Sequence, residues 1–380
     1  MDMNKTGHTK TIAFVCSGFN SVYGGNFIAS LVELEKELNG HGTKVLWVFN
    51  EKICQRAWYK QLVLDGHEFI LVNFDVPAVQ RIRVLNTIFR ENDVSLIHIH
   101  FGDHLTPVLA AFFEKIVIVW HEHSDFSLGE KEKPSAKVIL RSLLNRMIDL
   151  RINRIVVSEA LKKRRYVLVE NGIAAKHLPS LSKEETQEVR KQLGISDGTV
   201  LVLMFAWDPV VKGADIAVEM VKKARRSNTN IELAIVAGEH NNTSAYITEK
   251  CGDCEEFIRY LPPIEDVYKY HCVADVFLSA SRSEGFSYSV CEALWLEKPC
   301  VVSDIPGCRW TWDFETVKHF DSCDAESGSI ALQEAIHDLS EDRYMRSLKA
   351  DSLRARGKYN AEDWSKNIVD AYMKFGWKHG

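Results

Sequence analysis

The chain has 380 residues, 46% hydrophobic and 26% charged, with a formal net charge of −5. This length exceeds what one core usually sustains, so two domains are expected, and the acidic balance argues against general nucleic-acid binding. The charge is uneven, +3 over residues 1–175 and −8 over the rest, which marks two halves of different character.

The first apolar run, TIAFVCSG, breaks at Ser17-Gly18 and reads as a β-strand rather than a signal peptide, so a cytoplasmic protein is expected. The longest uncharged apolar run, Val200 to Trp207, is far short of the ~20 residues needed to cross a bilayer. Nine cysteines, several in apolar surroundings (Cys16, Cys291, Cys300), suggest reduced buried thiols. Cys251 and Cys254 form a CxxC with no second pair beside it, which reads as an exposed loop.

After the first strand, FIASLVELEKELNGHG places Ile28, Leu31, Leu34 and Leu38 at helical spacing, with Gly40 or Gly42 as the stop. Further strands are expected at TKVLWVF, EFILVNF, SLIHIHF, KIVIVWH, RIVVS and YVLVENG. A polar stretch, Ser180 to Gln192, then opens a second set: TVLVLMFA, the helix GADIAVEMVKKARR, IELAIVAG, FIRYL, ADVFLSAS and KPCVVSD. Alternating strands and helices of this kind build parallel α/β sheets. Two doubly wound, Rossmann-like domains facing across a cleft are predicted, over 1–172 and 173–358, with a last helix in 359–380. Ligands of such sheets bind outside the carboxyl ends of the strands.

The candidates therefore lie on loops that follow strands. Gly24 and Gly25 precede the first long helix, where glycines let the backbone approach an anionic group. His98 and His100 share one face of a strand, but no carboxylate or cysteine completes a familiar ligand set, so no metal is expected. His121, at the end of KIVIVWH, is a candidate donor to a substrate hydroxyl or a packed neutral histidine. Lys212 and Gly213 stand at a helix entrance, where an ammonium and the helix dipole act together on a phosphate. In SRSEGFSYSVCEALWLE, Glu284 lies in the turn and Glu292 on the following helix. The backbone N–H groups of Ser287, Tyr288 and Ser289 fall between them as an anion site. Two carboxylates flanking an anion site suit a ligand composed of a sugar, a diphosphate and a ribose.

With EGFSYSVCE followed by KPCVVSDIPG, the Gly24-Gly25 loop, His121, VENGI, Lys212-Gly213 and RYLPPIEDVYKYHCVADVFLSAS, in this order, the chain resembles the retaining nucleotide-sugar glycosyltransferases of the GT-B fold, family four. The resemblance implies that Glu284 contacts the donor sugar and Glu292 the ribose. Gly285, Phe286, Ser287, Tyr288 and Ser289 would cradle sugar and phosphate, Lys212 would neutralise the diphosphate, the Gly24-Gly25 loop would close over it, and His121 would touch the transferred sugar. Family members commonly carry an arginine five positions before the lysine, where this chain has Trp207; Arg282 or Arg309 would have to substitute.

The resemblance further implies hexosyl transfer from a nucleotide diphosphate sugar, uridine diphosphate being the commonest carrier, to a glycan, lipid-linked or other hydroxyl acceptor. Neither metal nor cofactor is expected. A non-catalytic GT-B partner or glycan-binding subunit and a sugar-nucleotide epimerase remain alternatives. A dinucleotide oxidoreductase is disfavoured, because neither half carries GxGxxG with a following acidic residue. Peripheral contact with an anionic membrane is expected through 137–165, where Lys137, Arg141, Leu144, Ile148 and Arg151 form an outer strip and Ile139, Leu143, Met147 and Leu150 an inner one.

Overall fold

The computed structural model describes residues 10–124, 148–161, 165–238 and 242–378. The chain divides into two compact units, Met1–Glu170 with Glu362–Gly380, and Asn171–Ala361.

The first unit is built on a seven-stranded sheet of β1 (Thr11–Cys16), β2 (Lys44–Asn50), β3 (Phe69–Val72), β4 (Val94–His100), β5 (Val117–Glu122), β6 (Ile152–Val156) and β7 (Tyr166–Leu168). Its order is β3-β2-β1-β4-β5-β6-β7, and every pairing is parallel. All six residues of β1 are buried, as parallel strands covered on both faces require. Helix α1 (Gly25–Gly40) buries Ile28, Leu31, Leu34 and Leu38 along one stripe, each such aliphatic contributing roughly 1.5–3 kcal/mol. Helices α2 (Ala57–Leu64), α3 (Ala78–Glu91) and α4 (Leu105–Ala111) connect the following strands.

The second unit contains α5 (Lys183–Gln192), β8 (Val200–Ala206), α6 (Ala214–Ala224), β9 (Ile231–Ala237), α7 (Thr243–Cys251), β10 (Ile258–Leu261), α8 (Tyr268–Val273), β11 (Val276–Ser279), α9 (Tyr288–Trp295), β12 (Cys300–Asp304), β13 (Val317–Asp321), α10 (Ala325–Asp338) and α11 (Asp342–Lys358). Its six strands run β10-β9-β8-β11-β12-β13, again all parallel. In both sheets the order reverses beside the unit's first strand, between β1 and β4 and between β8 and β11. Helix α5 starts with a reciprocal cap: Ser182 Oγ accepts from Glu185 N, and the Glu185 carboxylate accepts from Ser182 N. Ala217, Val218, Val221 and Ala224 of α6 enter the core cluster that contains Val202, Met204 and Leu278.

Helix α12 (Ala361–Lys374) carries the chain into the first unit. There the Tyr372 hydroxyl lies 2.6 Å from His98 Nδ1, and Trp377 Nε1 donates to Ser95 Oγ at 3.3 Å.

Among the described residues no helix is long and apolar enough to cross a membrane. In the strips assigned to membrane contact, Lys137, Ile139, Arg141, Leu143, Leu144 and Met147 lie outside the described residues. At the described end Ile148 and Leu150 face opposite to what was expected, while Arg151 is exposed as expected. Ile148 is buried beside Ile152 in the core, Leu150 is 53% exposed, and Arg151 donates to the carbonyls of Phe112 and Glu114. The chain turns into β6 here, and Ile148 is drawn inward with that strand.

Candidate functional site

At the reversal point of a doubly wound sheet, the loops leaving two neighbouring strands diverge to opposite faces and open a crevice between them. In the second unit those loops are Trp207–Gly213 after β8 and Ala280–Ser287 after β11. Lys212 Nζ donates to Glu284 Oε1 across them at 2.5 Å, with side-chain exposures of 11% and 10%. Ser281 Oγ donates to the same carboxylate oxygen at 2.8 Å.

Two glycines fix this meeting. Gly213 has φ +66°, and a Cβ there would lie 2.0 Å from the Ala280 carbonyl oxygen, so only glycine lets the lysine loop press against the end of β11. A Cβ on Gly307 would lie 1.8 Å from the Glu284 carbonyl oxygen. The 3₁₀ segment Pro306–Asp313 that follows β12 therefore rests on the backbone of Glu284.

Trp207, in the position where a cation was expected, is 57% exposed; its ring centroid lies 5.3 Å from Lys212 Nζ, a cation–π contact that steadies the ammonium. Arg282 grips Asp215, in the first turn of α6, through Nη1 and Nη2 at 2.9 and 2.7 Å, and Nη1 also donates to the Val210 carbonyl at 2.6 Å. Burial works to raise the Asp215 pKa, but the hydrogen bonds and charge of Arg282 outweigh it and hold the carboxyl below its usual range. Arg282 thus braces the lysine loop. Arg309 is less committed, with a 70% exposed side chain 4.0 Å from Asp304.

Glu292 on α9 is buried, its Oε2 3.4 Å from Nε2 of the wholly buried His271. Ser287 caps α9, and its hydroxyl lies 3.2 Å from that of Ser289. Phe286 is 5% exposed and stacks on Trp310, centroids 4.5 Å apart, so its ring belongs to the core. The structure brings Lys212, Arg282, Glu284 and the segment Gly285 to Ser289 to the end of one sheet. The sequence reading passed over Asp215, Ser281 and Gly307, whose contributions arise only through contacts distant in the chain.

In the first unit, Gly24 caps α1 and Gly25 adopts φ +58°. At the reversal point, Gly18 N donates to the Phe101 carbonyl at 3.1 Å, and a Cβ on Gly18 would lie 2.9 Å from Gly102 Cα. His121 is 1% exposed and belongs to a cluster with His98, His100 and His123. Its Nδ1 lies 3.2 Å from His98 Nε2, and His100 Nδ1 lies 3.0 Å from His123 Nε2. Burial holds His98, His100 and His121 well below the usual imidazole pKa and brings His123 to about 3, so all four rings are neutral at pH 7.

Residues 198–342 match the model of the glycosyl transferases group 1 family. No curated protein matches the chain. Solved structures resemble it along its length. A glycosyltransferase from Rickettsia africae ESF-5 is 15% identical with a TM-score of 0.77, covering 97% of this chain and 99% of its own. Anabaena Alr3699/HepE, solved in complex with UDP and glucose, is 14% identical with a TM-score of 0.77, over 96% of this chain and all (100%) of its own. WaaG, a glycosyltransferase involved in lipopolysaccharide biosynthesis, is 12% identical with a TM-score of 0.69, over 97% and 100%. Residues 198–342, within the second unit, thus match a group 1 glycosyl transferase domain, in a chain with the GT-B fold.

Proposed function

We propose that the protein is a retaining glycosyltransferase that moves a sugar, of hexosyl type, from a nucleoside diphosphate sugar to a hydroxyl acceptor. The observation that carries this is the nearly buried pair of Lys212 and Glu284 at the reversal point of the second sheet. Anabaena Alr3699/HepE, which shares the fold, was solved with UDP-glucose, and this supports a uridine diphosphate sugar as donor.

A cation and an anion held against each other beneath two loops suit a ligand that carries both a diphosphate and hydroxyl groups. When the donor binds, the Lys212 ammonium turns to the diphosphate, and the first-turn N–H groups of α9 add their dipole. Glu284, still held by Ser281, then accepts from sugar hydroxyls. Glu292 holds the ribose. Bond cleavage puts charge on the leaving phosphate, and Lys212 stabilises it there. The leaving oxygen takes the proton of the acceptor hydroxyl on the same face of the sugar, so the anomeric configuration is retained without a carboxylate nucleophile beneath the ring. With these groups balancing the diphosphate, the step runs without a divalent cation at that position. The acceptor is a glycan or lipid-linked hydroxyl, and the protein works in the cytoplasm.

The test is to incubate the protein with uridine, guanosine and adenosine diphosphate sugars and follow sugar release or transfer by NMR. Turnover of one donor, an unchanged anomeric configuration in the transfer product and a rate indifferent to added magnesium would support the reading. Hydrolysis or transfer of none, with UDP bound tightly, would move the protein to a non-catalytic role. Epimerised nucleotide sugar would identify an epimerase.

A further inference from the structure

Four histidines meet in the first unit because two neighbouring parallel strands each carry a pair at alternate positions. His98 and His100 end β4, while His121 and His123 lie at and just beyond the end of β5. The strands run in register, with His98 beside Val119 and Ile99 beside Trp120. Side chains two apart share a face, so the two pairs stack on one another. The rings of His98 and His121 are 11° from parallel, and those of His121 and His123 18°.

Their hydrogen bonding does not close. A neutral imidazole has one donor and one acceptor nitrogen. His98 is satisfied on both sides, by Tyr372 and His121. His100 and His121 each keep a buried Nε2 with no partner, and His123 a buried Nδ1. Whichever tautomers are chosen, three buried ring nitrogens stay without a partner, and an ion held by His100 Nε2 together with the His98–His121 pair would satisfy one of them.

One ring nitrogen from each of His98, His100 and His121 lies within 4.8 Å of the others. The 3.2 Å between His98 Nε2 and His121 Nδ1 also matches, to about 0.2 Å, the separation of two nitrogens bound tetrahedrally at ~2.0–2.1 Å. We propose that His98, His100 and His121 form a transition-metal site that takes zinc or a similar borderline divalent ion, with one coordination position left open. Three imidazoles with neither thiolate nor carboxylate suit zinc, copper or nickel rather than magnesium or calcium. Ligation through His98 Nε2 leaves its Nδ1–H to donate to the Tyr372 hydroxyl at 2.6 Å, which fixes the ring. His123 holds His100 in the same way through the 3.0 Å contact. Such outer partners orient ligating imidazoles and tune affinity. The ion would tie β4 and β5 to α12, the helix that bears Tyr372.

The test uses the full chain, freed of metal with a chelator and titrated with Co²⁺. The expected result is the visible ligand-field absorption of tetrahedral Co²⁺ at one equivalent per chain, displaced by Zn²⁺ and absent in His98→Gln and His121→Gln. Tyr372→Phe, which keeps the ring in place, should weaken Co²⁺ affinity ~10–100-fold. The proposal is overturned if the folded wild-type chain takes up no Co²⁺, or if binding persists in the histidine variants and so belongs to histidines elsewhere. Should those variants fail to fold, undiminished affinity in Tyr372→Phe overturns it.

Discussion

Lys212 Nζ and Glu284 Oε1 lie 2.5 Å apart, nearly buried, across 72 positions of sequence. Such a pair is weak evidence for stability but costly to break, because removing one member leaves the other buried without a counter-charge. Lys212→Ala should therefore lower unfolding stability by about 3 kcal/mol, the lower end for breaking a buried pair. Lys212→Ala combined with Glu284→Gln should recover most of that loss in urea denaturation. UDP binding, measured by calorimetry, should weaken by about 1.5–3 kcal/mol in both variants, the range for a hydrogen bond to a charged group. Unchanged UDP affinity would transfer the role to Arg309.

The two glutamates should fail differently. Glu292 is assigned to the ribose, which does not change during reaction, whereas Glu284 is assigned to the sugar, which gains positive charge as its bond to phosphate breaks. Contacts equal in ground and transition states act on KM, and those that strengthen act on kcat. Glu292→Gln should mainly raise the donor KM. Glu284→Gln should lower kcat on the order of a hundredfold, the scale of one lost preorganised contact. Near-normal turnover in Glu284→Gln would remove its catalytic assignment.

Gly307 gives a packing test that changes no charge. A methyl group there would meet the Glu284 carbonyl at 1.8 Å, so Gly307→Ala must displace either the 3₁₀ segment or the Glu284 backbone. We expect a stability loss of about 1–3 kcal/mol, as for overpacking, and a clear fall in kcat/KM. Wild-type kinetics in a folded Gly307→Ala would show that the position of Glu284 is not critical.

Arg282 and Asp215 make an acid-sensitive brace. The folded pKa of Asp215 is depressed, so its contribution to stability is complete above the unfolded value of about 3.9 and is lost as pH falls through the lower folded value. Asp215→Asn should unfold at lower urea than the wild type at pH 7, and the gap should close as pH falls through the depressed folded pKa. A gap that persists at low pH would mean that shape, not charge, holds the loop.

Much of the architecture is legible in residue patterns, because buried parallel strands read as β-branched runs; β1, β8 and β12 stand out for this reason. β13 was missed. Its sequence VKHFD carries a lysine, a histidine and an aspartate, which an edge strand tolerates because only one side is paired. The inward turn of Ile148 was illegible too, since helical spacing defines strips without saying which one meets the core. At the site, Lys212 and Glu284 could be named singly from their neighbours, but their contact, like the Asp215–Arg282 fork 67 positions apart, exists only once β8 and β11 lie side by side. His98 and His100 were visible as a same-face pair. The meeting with His121, His123 and Tyr372 depends on strand pairing and on the course of the last helix.

That course reverses an order of events. The second unit is one uninterrupted stretch of chain, whereas the first needs Glu362–Gly380 as well. During synthesis the second unit can close as soon as its own residues have emerged. The first, begun earlier, must wait with His98 lacking Tyr372 and with Ser95 lacking Trp377. Of the two units, the one begun first is thus the last to be finished.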